Sequence, residues 1–261
     1  MTDSETDLTK VTQMQNPTAA ILLIGDELLS GRTRDSNLHY LAGELTRRGI
    51  SLAEARLVGD DTGAIIAAVN ALRAGYDHVF TSGGIGPTHD DITAEAIAAA
   101  FGVGITKRAD AMALLQAHYD RRGQDFNEAR QRMARIPDGA TLIDNPVSIA
   151  PGFTLGNVHV MAGVPNVFEA MVASVLPLIT GGAPLLSQSL RVDRGEGDIA
   201  TPFGALAADY PDLSMGSYPF VLNGAYGTNL VIRGTDAARV AAAMADLSAR
   251  LALLPAPASD A

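Results

Sequence analysis

Ala19 to Ile24 is an unbroken apolar run that stops at Gly25-Asp26-Glu27, and a strand apolar at every position has to be covered on both of its faces. Asp35-Ser36 then offers helix caps ahead of Leu38, Leu41, Ala42 and Leu45 at helical spacing, and Gly49 supplies a stop. Ile50 to Val58 fits a second strand, and Ile65, Ile66, Val69 and Leu72 before Gly75 fit a second helix. Val79 to Ser82 fits a third strand, which runs into a glycine-rich loop before a helix beginning near Thr93. Alternation of this kind predicts an α/β fold with a mostly parallel sheet and helices on both faces.

Ala109 to Tyr119 and Asn127 to Ala134 carry helical patterning. A turn-rich segment, Asn145 to Gly152, precedes two strands, Phe153 to Leu155 and Val158 to Met161, around Gly156-Asn157. A helix starting at Pro165 places Phe168, Met171, Val172, Val175 and Leu176 on one face, and Pro177 limits it. Gly181-Gly182-Ala183-Pro184 marks the boundary. Beyond it a strand (Ser187 to Val192), a helix (about Gly197 to Asp209, with a later start at Thr201-Pro202 as the alternative), two strands (Leu213 to Tyr218, Asn229 to Arg233) and a helix (Ala237 to Leu253) describe a small α+β unit of split-βαβ character. The expected organisation is a disordered tail over residues 1–17, an α/β domain over 18–182, the α+β unit over 185–255 and a tail over 256–261.

Composition narrows the chemistry. The chain has no cysteine, which removes disulfides, thiolate nucleophiles, iron–sulfur clusters and cysteine zinc sites. Its 19 Lys and Arg stand against 29 Asp and Glu, a net charge of −10, and nucleic-acid affinity comes from basic side chains on phosphates. The longest wholly apolar run, Ala96 to Ile105, is about half of a membrane span, and Met1 to Asn16 has no apolar signal core. The expectation is a cytoplasmic protein with no nucleic-acid and no membrane partner. One stretch departs from the acidic balance: Lys107, Arg108, Arg121, Arg122, Arg130, Arg132 and Arg135 face only Asp110, Asp120, Asp125 and Glu128. It is either a solvated helix face or a basic wall beside an anion site.

The strongest local signal for chemistry is Ser82 to Thr93. Ligands of an open parallel sheet bind where strands end in loops that lead to helix starts. Gly83, Gly84 and Gly86 bring backbone N–H groups close to a phosphate, Pro87 stiffens the loop, and the Thr88 hydroxyl is a further donor. There is no Walker lysine and no third glycine of a dinucleotide fingerprint, so the alternative is a glycine turn that only lets strand and helix pack. Asp90 and Asp91 follow directly; paired carboxylates repel a phosphate unless a divalent cation such as Mg²⁺ lies between them. For Asp91 a helix N-cap is the competing role. Asp26 and Glu27, at the end of the first strand, reach the same sheet edge if strands one and three are neighbours, where they suit ribose hydroxyls, a pterin ring or a metal's outer shell. Asn37 and Asn145 are the amide candidates.

Taken together, Gly25-Asp26-Glu27-Leu28-Leu29-Ser30-Gly31, Asn37, Val58-Gly59-Asp60, Gly83 through Thr93, Asn145-Pro146-Val147, Ala150-Pro151-Gly152 and Gly163-Val164-Pro165 resemble the N-terminal domain of the competence/damage-inducible protein A (CinA) family. The same motifs are similar to the molybdopterin-binding (MoaB/MogA-like) fold and to the N-terminal domain of eukaryotic FAD synthases. The resemblance covers about Ala19 to Pro177. It implies a three-layer α/β/α domain, possession of a homo-oligomeric state, and metal-dependent hydrolysis of a pyrophosphate with ADP-ribose as the usual substrate. Carried onto this chain, Gly83 to Thr88, together with Ser82, would hold phosphates, Asp90 and Asp91 the metal and the water, and Asp26 and Glu27 the far end of the ligand. Ser148 stands where the family carries a glycine, which bears on the Asn145 side. Full-length CinA continues into a deamidase domain, and no deamidase activity is expected here. The competing expectations are a molybdopterin-binding or adenylyl-transfer protein using the same cleft, with molybdopterin as its ligand, and a non-catalytic nucleotide sensor.

Overall fold

The computed structural model describes residues 16–222 and 225–255, which divide into two compact units between Gly182 and Ala183. In chain order the first unit contains β1 (Thr18–Ile24), α1 (Asp26–Leu29), α2 (Asn37–Arg47), β2 (Ser51–Val58), α3 (Thr62–Gly75), β3 (His78–Ser82), α4 (Thr93–Phe101), β4 (Ile105–Lys107), α5 (Ala109–Arg121), α6 (Glu128–Gln131), β5 (Arg135–Pro137), β6 (Thr141–Ile143), β7 (Gly152–Leu155), β8 (Val158–Met161) and α7 (Pro165–Val175). Its main sheet has the order β2-β1-β3-β8-β7-β6. Neighbours from β2 to β8 run parallel, and β7 is antiparallel to both of its partners.

Burial explains the unbroken apolar run. Ala20, Leu22 and Ile24 join a core with Ile65, Val69, Ile97 and Leu115 from α3, α4 and α5. Ala19, Ile21 and Leu23 join the opposite core with Leu41, Leu45, Phe168 and Met171 from α2 and α7. With both faces covered no position of β1 is left to a polar side chain, and each large aliphatic residue contributes about 1.5–3 kcal/mol by leaving water. β1 and β3 are neighbours, so Gly25-Asp26-Glu27 and the glycine loop emerge side by side.

Three short strands, β4, β5 and β6, escape sequence patterning because each has only three residues. β4 and β5 pair with each other antiparallel, which places Lys107 and Arg135 in a small ribbon. Asp35 caps α2 by accepting from Asn37 N–H and Leu38 N–H at 3.2 and 3.1 Å. The residue at the N-cap of α4 is Ile92, without a side-chain cap, so Asp91 is not that helix's cap.

The second unit contains β9 (Leu186–Val192), α8 (Glu196–Asp209), β10 (Ser214–Leu222), β11 (Ala225–Gly234) and α9 (Ala237–Ala252). β11 lies between β10 and β9 and is antiparallel to each, so β9 and β10 are parallel and α8 crosses between them. Pro202 lies inside α8 rather than at its start; Ile199 and Leu206, both buried, anchor the helix on either side of it. The tail expected over residues 1–17 lies outside the described residues except for Asn16 and Pro17, and that over 256–261 lies wholly outside them. Among the described residues no helix is long and apolar enough to cross a membrane.

One buried group makes the fold sensitive to pH. His159, on β8, stacks against Phe80 with ring centroids 4.9 Å apart, and burial pushes its imidazole from 6.5 down to about 4. Between those values the unfolded chain binds a proton that the native state refuses. Stability is therefore expected to fall by up to about 3 kcal/mol as the pH drops through that window. Urea denaturation at about pH 7 and about pH 4.5 checks it, and His159→Leu should flatten the dependence.

Candidate functional site

β1, β3 and β8 end on one edge of the sheet, and there a cleft of about 760 Å³ opens. Of the residues singled out in the sequence, Glu27, Gly83, Gly84, Gly86, Asp90, Asp91 and Asn145 line it. Gly83 and Gly84 have φ of 114° and 69°, conformations that side-chain-bearing residues rarely adopt. The loop is anchored from three sides. Gly83 N–H donates to Met161 O at 3.1 Å, Thr93 Oγ1–H donates to Gly83 O at 3.0 Å, and Thr93 N–H donates to Gly84 O at 3.0 Å. A Cβ on Gly163 would come within 3.2 Å of Gly83 Cα, so the β8–α7 loop and the glycine loop run against each other.

Five singled-out residues are not among those lining the cleft. Asn37 and Ser82 are buried beneath it. Asn37 Nδ2–H donates to Ser82 Oγ and to Gly163 O, each at 2.8 Å, tying the start of α2 to the ends of β3 and β8. Its Oδ1 is buried without a partner. Asn37→Ala is expected to cost about 2–3 kcal/mol through two lost buried hydrogen bonds, read as a lower melting temperature. Pro87 and Thr88 also stand off the cleft: Thr88 N–H and Oγ1–H both donate to Asp91 Oδ2, at 2.8 and 2.6 Å. The Thr88 hydroxyl thus serves its own turn rather than a phosphate. Asp26 is turned to the β2 end, where its N–H donates to Asp60 Oδ2 at 3.0 Å and its Oδ1 accepts from Asp60 N–H at 3.3 Å.

Asn145 reaches the cleft with its amide already committed. Nδ2–H groups go to Ser148 Oγ and Ala150 O, and Oδ1 accepts from Val147 N–H and Ser148 N–H. It shapes the 145–150 loop, in which Ile149 has a φ of 68°, and its side chain has no donor left for a ligand.

Glu27, Asp60 and Asp90 bring carboxylates to the cleft. Burial pushes the Asp60 carboxyl above its ordinary range, and the charges of Asp26, Glu27 and Asp90 push the same way, against the lowering effect of the Asp26 N–H. The nearby Thr88 hydroxyl and the N–H of Asp90 itself hold the Asp90 carboxyl below its ordinary range, although the hydroxyl's proton goes to Asp91 Oδ2. His89 is fully out in solvent, 3.9 Å from Asp90. Among the described residues no three acidic or histidine side chains already converge on a point where they could hold a metal ion.

No lysine or arginine lines the cleft among the described residues. Its backbone donors are the N–H groups of Gly84 and Gly86 and that of Asn166 in the first turn of α7, where Pro165 has none, the Val167 N–H goes to Val164 O, and the N-cap, Val164, has no side-chain cap. Helix N-termini present free N–H groups and the positive end of the dipole. This contribution and Asp60 are what sequence reasoning missed. Pro165 at a first helical position was the visible signal for the helix start, and the acidic Gly59-Asp60 at the end of β2 the signal for the carboxylate. Most of the basic stretch has local partners: Arg108 pairs with Asp110 at 2.7 Å, and Arg135 pairs with Glu95. Arg132 NH2 donates to Asp91 O at 3.3 Å, bracing the turn behind the cleft.

A family model described as "Probable molybdopterin binding domain" matches residues 20–181, and one described as "FAD synthase, middle domain" matches residues 184–254. A probable FAD synthase of Caenorhabditis elegans is 31% identical over 91% of this chain and 50% of its own length. A CinA-like protein of Geobacter metallireducens is 39% identical over 61% of this chain and 40% of its own. The chain therefore spans about half the length of these curated relatives. The crystal structure of the protein CinA, of unknown function, from Thermoplasma acidophilum matches with a TM-score of 0.57 at 33% identity, over 62% of this chain and 96% of that one.

Proposed function

The chain belongs to the family of probable molybdopterin-binding domains, and from that premise we propose that it hydrolyses the diphosphate bridge of an adenine nucleotide of the ADP-ribose type to AMP and a sugar phosphate, with a divalent cation. The observation that carries the reading is that one cleft is lined both by Gly84, Gly86 and the start of α7 and by the carboxylates of Glu27, Asp60 and Asp90. Amides and a helix N-terminus receive phosphate oxygens. Carboxylates facing the same diphosphate are tolerable with a cation between them.

Asp90 would hold that cation, and Asp60, near enough to feel the charge of Asp90, would orient the water beside it. Asp91 adds one oxygen only, because its Oδ2 is committed to Thr88. When bound, the cation supplies charge neutralisation and a more acidic water. The chain's own groups do the rest. The N–H groups of Gly84 and Gly86 bind the phosphates and neutralise charge as it develops. Asp60, whose carboxylate burial makes a stronger base, is the group suited to take the proton of the attacking water. Water adds to one phosphorus, the bridging P–O bond breaks, and the second phosphate leaves with the sugar.

Purified protein with ADP-ribose and Mg²⁺, Co²⁺ or Mn²⁺ is expected to release AMP, and silence with all three cations overturns the reading. Asp90→Ala should abolish release at an unchanged melting temperature, whereas Asp91→Ala should lower that temperature by opening the Thr88 turn.

The match of both units to FAD synthase sequence favours a second reading, in which the ligand is a flavin or molybdopterin nucleotide and the same cleft binds it or transfers an adenylyl group. FAD and molybdopterin in the binding assay separate the two: tight retention of either without AMP release supports the second. We further propose that the protein acts as a homo-oligomer in the cytoplasm, which sedimentation and fractionation test.

A further inference from the structure

At the amino-terminal ends of β3 and β8, the end of the sheet opposite the cleft, lies a cavity of about 550 Å³. α7 starts at the cleft, so its last turn brings Ser174 and Val175 to this other end, where they line the cavity with Leu142 and Ile179. Sites of this volume and apolar lining accommodate small organic molecules.

Two of the chain's five histidines meet here. His159 is 4% exposed; its Nδ1 lies 3.0 Å from Thr154 Oγ1 and its Nε2 3.3 Å from His78 Nδ1. Burial lowers both imidazoles, so each is neutral at pH 7 and carries one ring proton. A single proton per ring makes the contacts directional. With Thr154 Oγ1–H donating to His159 Nδ1, His159 Nε2–H donates to His78 Nδ1, and His78 offers Nε2–H. With the hydroxyl accepting instead, both tautomers reverse and His78 Nε2 becomes an acceptor. Either way this nitrogen has no protein partner among the described residues. The charged groups beside it are carboxylates: Asp77 precedes His78 and Asp144 lines the cavity, while no lysine or arginine does.

We propose that this cavity is a second ligand site, for an uncharged heteroaromatic molecule of nucleoside size whose ring lies on the aliphatic walls and whose nitrogen or carbonyl meets His78 Nε2. An anion finds no lysine or arginine among the lining residues and the Asp144 carboxylate opposing it. The selectivity is therefore the reverse of the cleft's, which is built for phosphate.

Calorimetric titration of the full chain with adenosine and riboflavin, each compared with its 5′-phosphate, tests the proposal. At least one uncharged probe should bind about tenfold more tightly than its phosphate. That binding should weaken about tenfold or more in His78→Phe and in Ser174→Trp, the latter filling the cavity from a half-buried helix position should the former fail to fold. Because the cleft can also take a nucleotide, only binding lost in Ser174→Trp counts: the proposal is overturned if neither uncharged probe binds, if the phosphates bind equally well in that part, or if Ser174→Trp binds like the unaltered chain.

Discussion

Gly83→Ala is expected to destabilise the protein by about 3–5 kcal/mol and to abolish nucleotide binding in whatever fraction still folds. Two costs coincide at this position. A φ of 114° is one that a side-chain-bearing residue adopts only under strain. The added Cβ would also press into the carbonyl oxygen of Ile24, and β1 cannot yield because it is hydrogen-bonded to β2 on one side and β3 on the other. Relief would have to come from the loop, by breaking the Gly83 bonds to Met161 and Thr93 that hold the following glycines in place at the cleft. Gly123→Ala is the control: its φ is 61° but a Cβ there meets nothing, so only the conformational cost of about 1 kcal/mol remains. Denaturant titration of both variants decides the matter; equal losses would mean that the close approach to β1 contributes nothing.

That same approach explains why the fold was easier to read than the site. β1 is apolar throughout because it is buried on two faces, and Gly83 is glycine because β1 runs directly behind it. Both constraints act through neighbours in sequence or along one strand, and they leave a pattern. β4 and β5 leave none, since three residues are too few for a period and their partnership is set by the packing of α4 and α5 around them. Pro202 misleads in the other direction. A proline suits a first helical turn, yet α8 begins at Glu196 because burial of Ile199 and Leu206 outweighs the roughly 3 kcal/mol that an interior proline costs.

In the site, residue type was legible and role was not. Asn37 and Asn145 are amides at the cleft's margin, as their sequence surroundings suggested, but protein groups take up both N–H groups of each. Nothing local shows that Asn37 reaches Gly163, which lies on another strand's exit. Asp90 and Asp91 are adjacent in sequence and differ in role: the Asp91 carboxylate folds back on Thr88 while that of Asp90 stands near the cleft's other carboxylates. The companions of Asp90 there are supplied by the ends of β1 and β2, and only the sheet order β2-β1-β3 brings them together.

Asp60→Asn follows from that convergence and should separate catalysis from stability. Asparagine keeps an oxygen to accept the Asp26 N–H, now 3.0 Å from Asp60 Oδ2, but it cannot take a proton from water. AMP release is expected to fall by about 10²- to 10⁴-fold, the usual loss on removing a general base. The wild-type rate should rise with pH as Asp60 ionises, and this limb should vanish in the variant. Stability should move the other way. Because the folded state raises the Asp60 pKa, burial first and the neighbouring carboxylates after it, ionisation of the group is more costly in the folded than in the unfolded chain. Its effect on stability is therefore absent below the ordinary carboxylate range and grows as the pH rises through the raised value, where the native state is disfavoured. Asparagine removes that penalty, so the melting temperature at neutral pH should stay level or rise slightly while the rate collapses. A residue that only braced the Asp26 turn would lose stability along with activity, and a variant that keeps the wild-type pH limb would exclude Asp60 as the base.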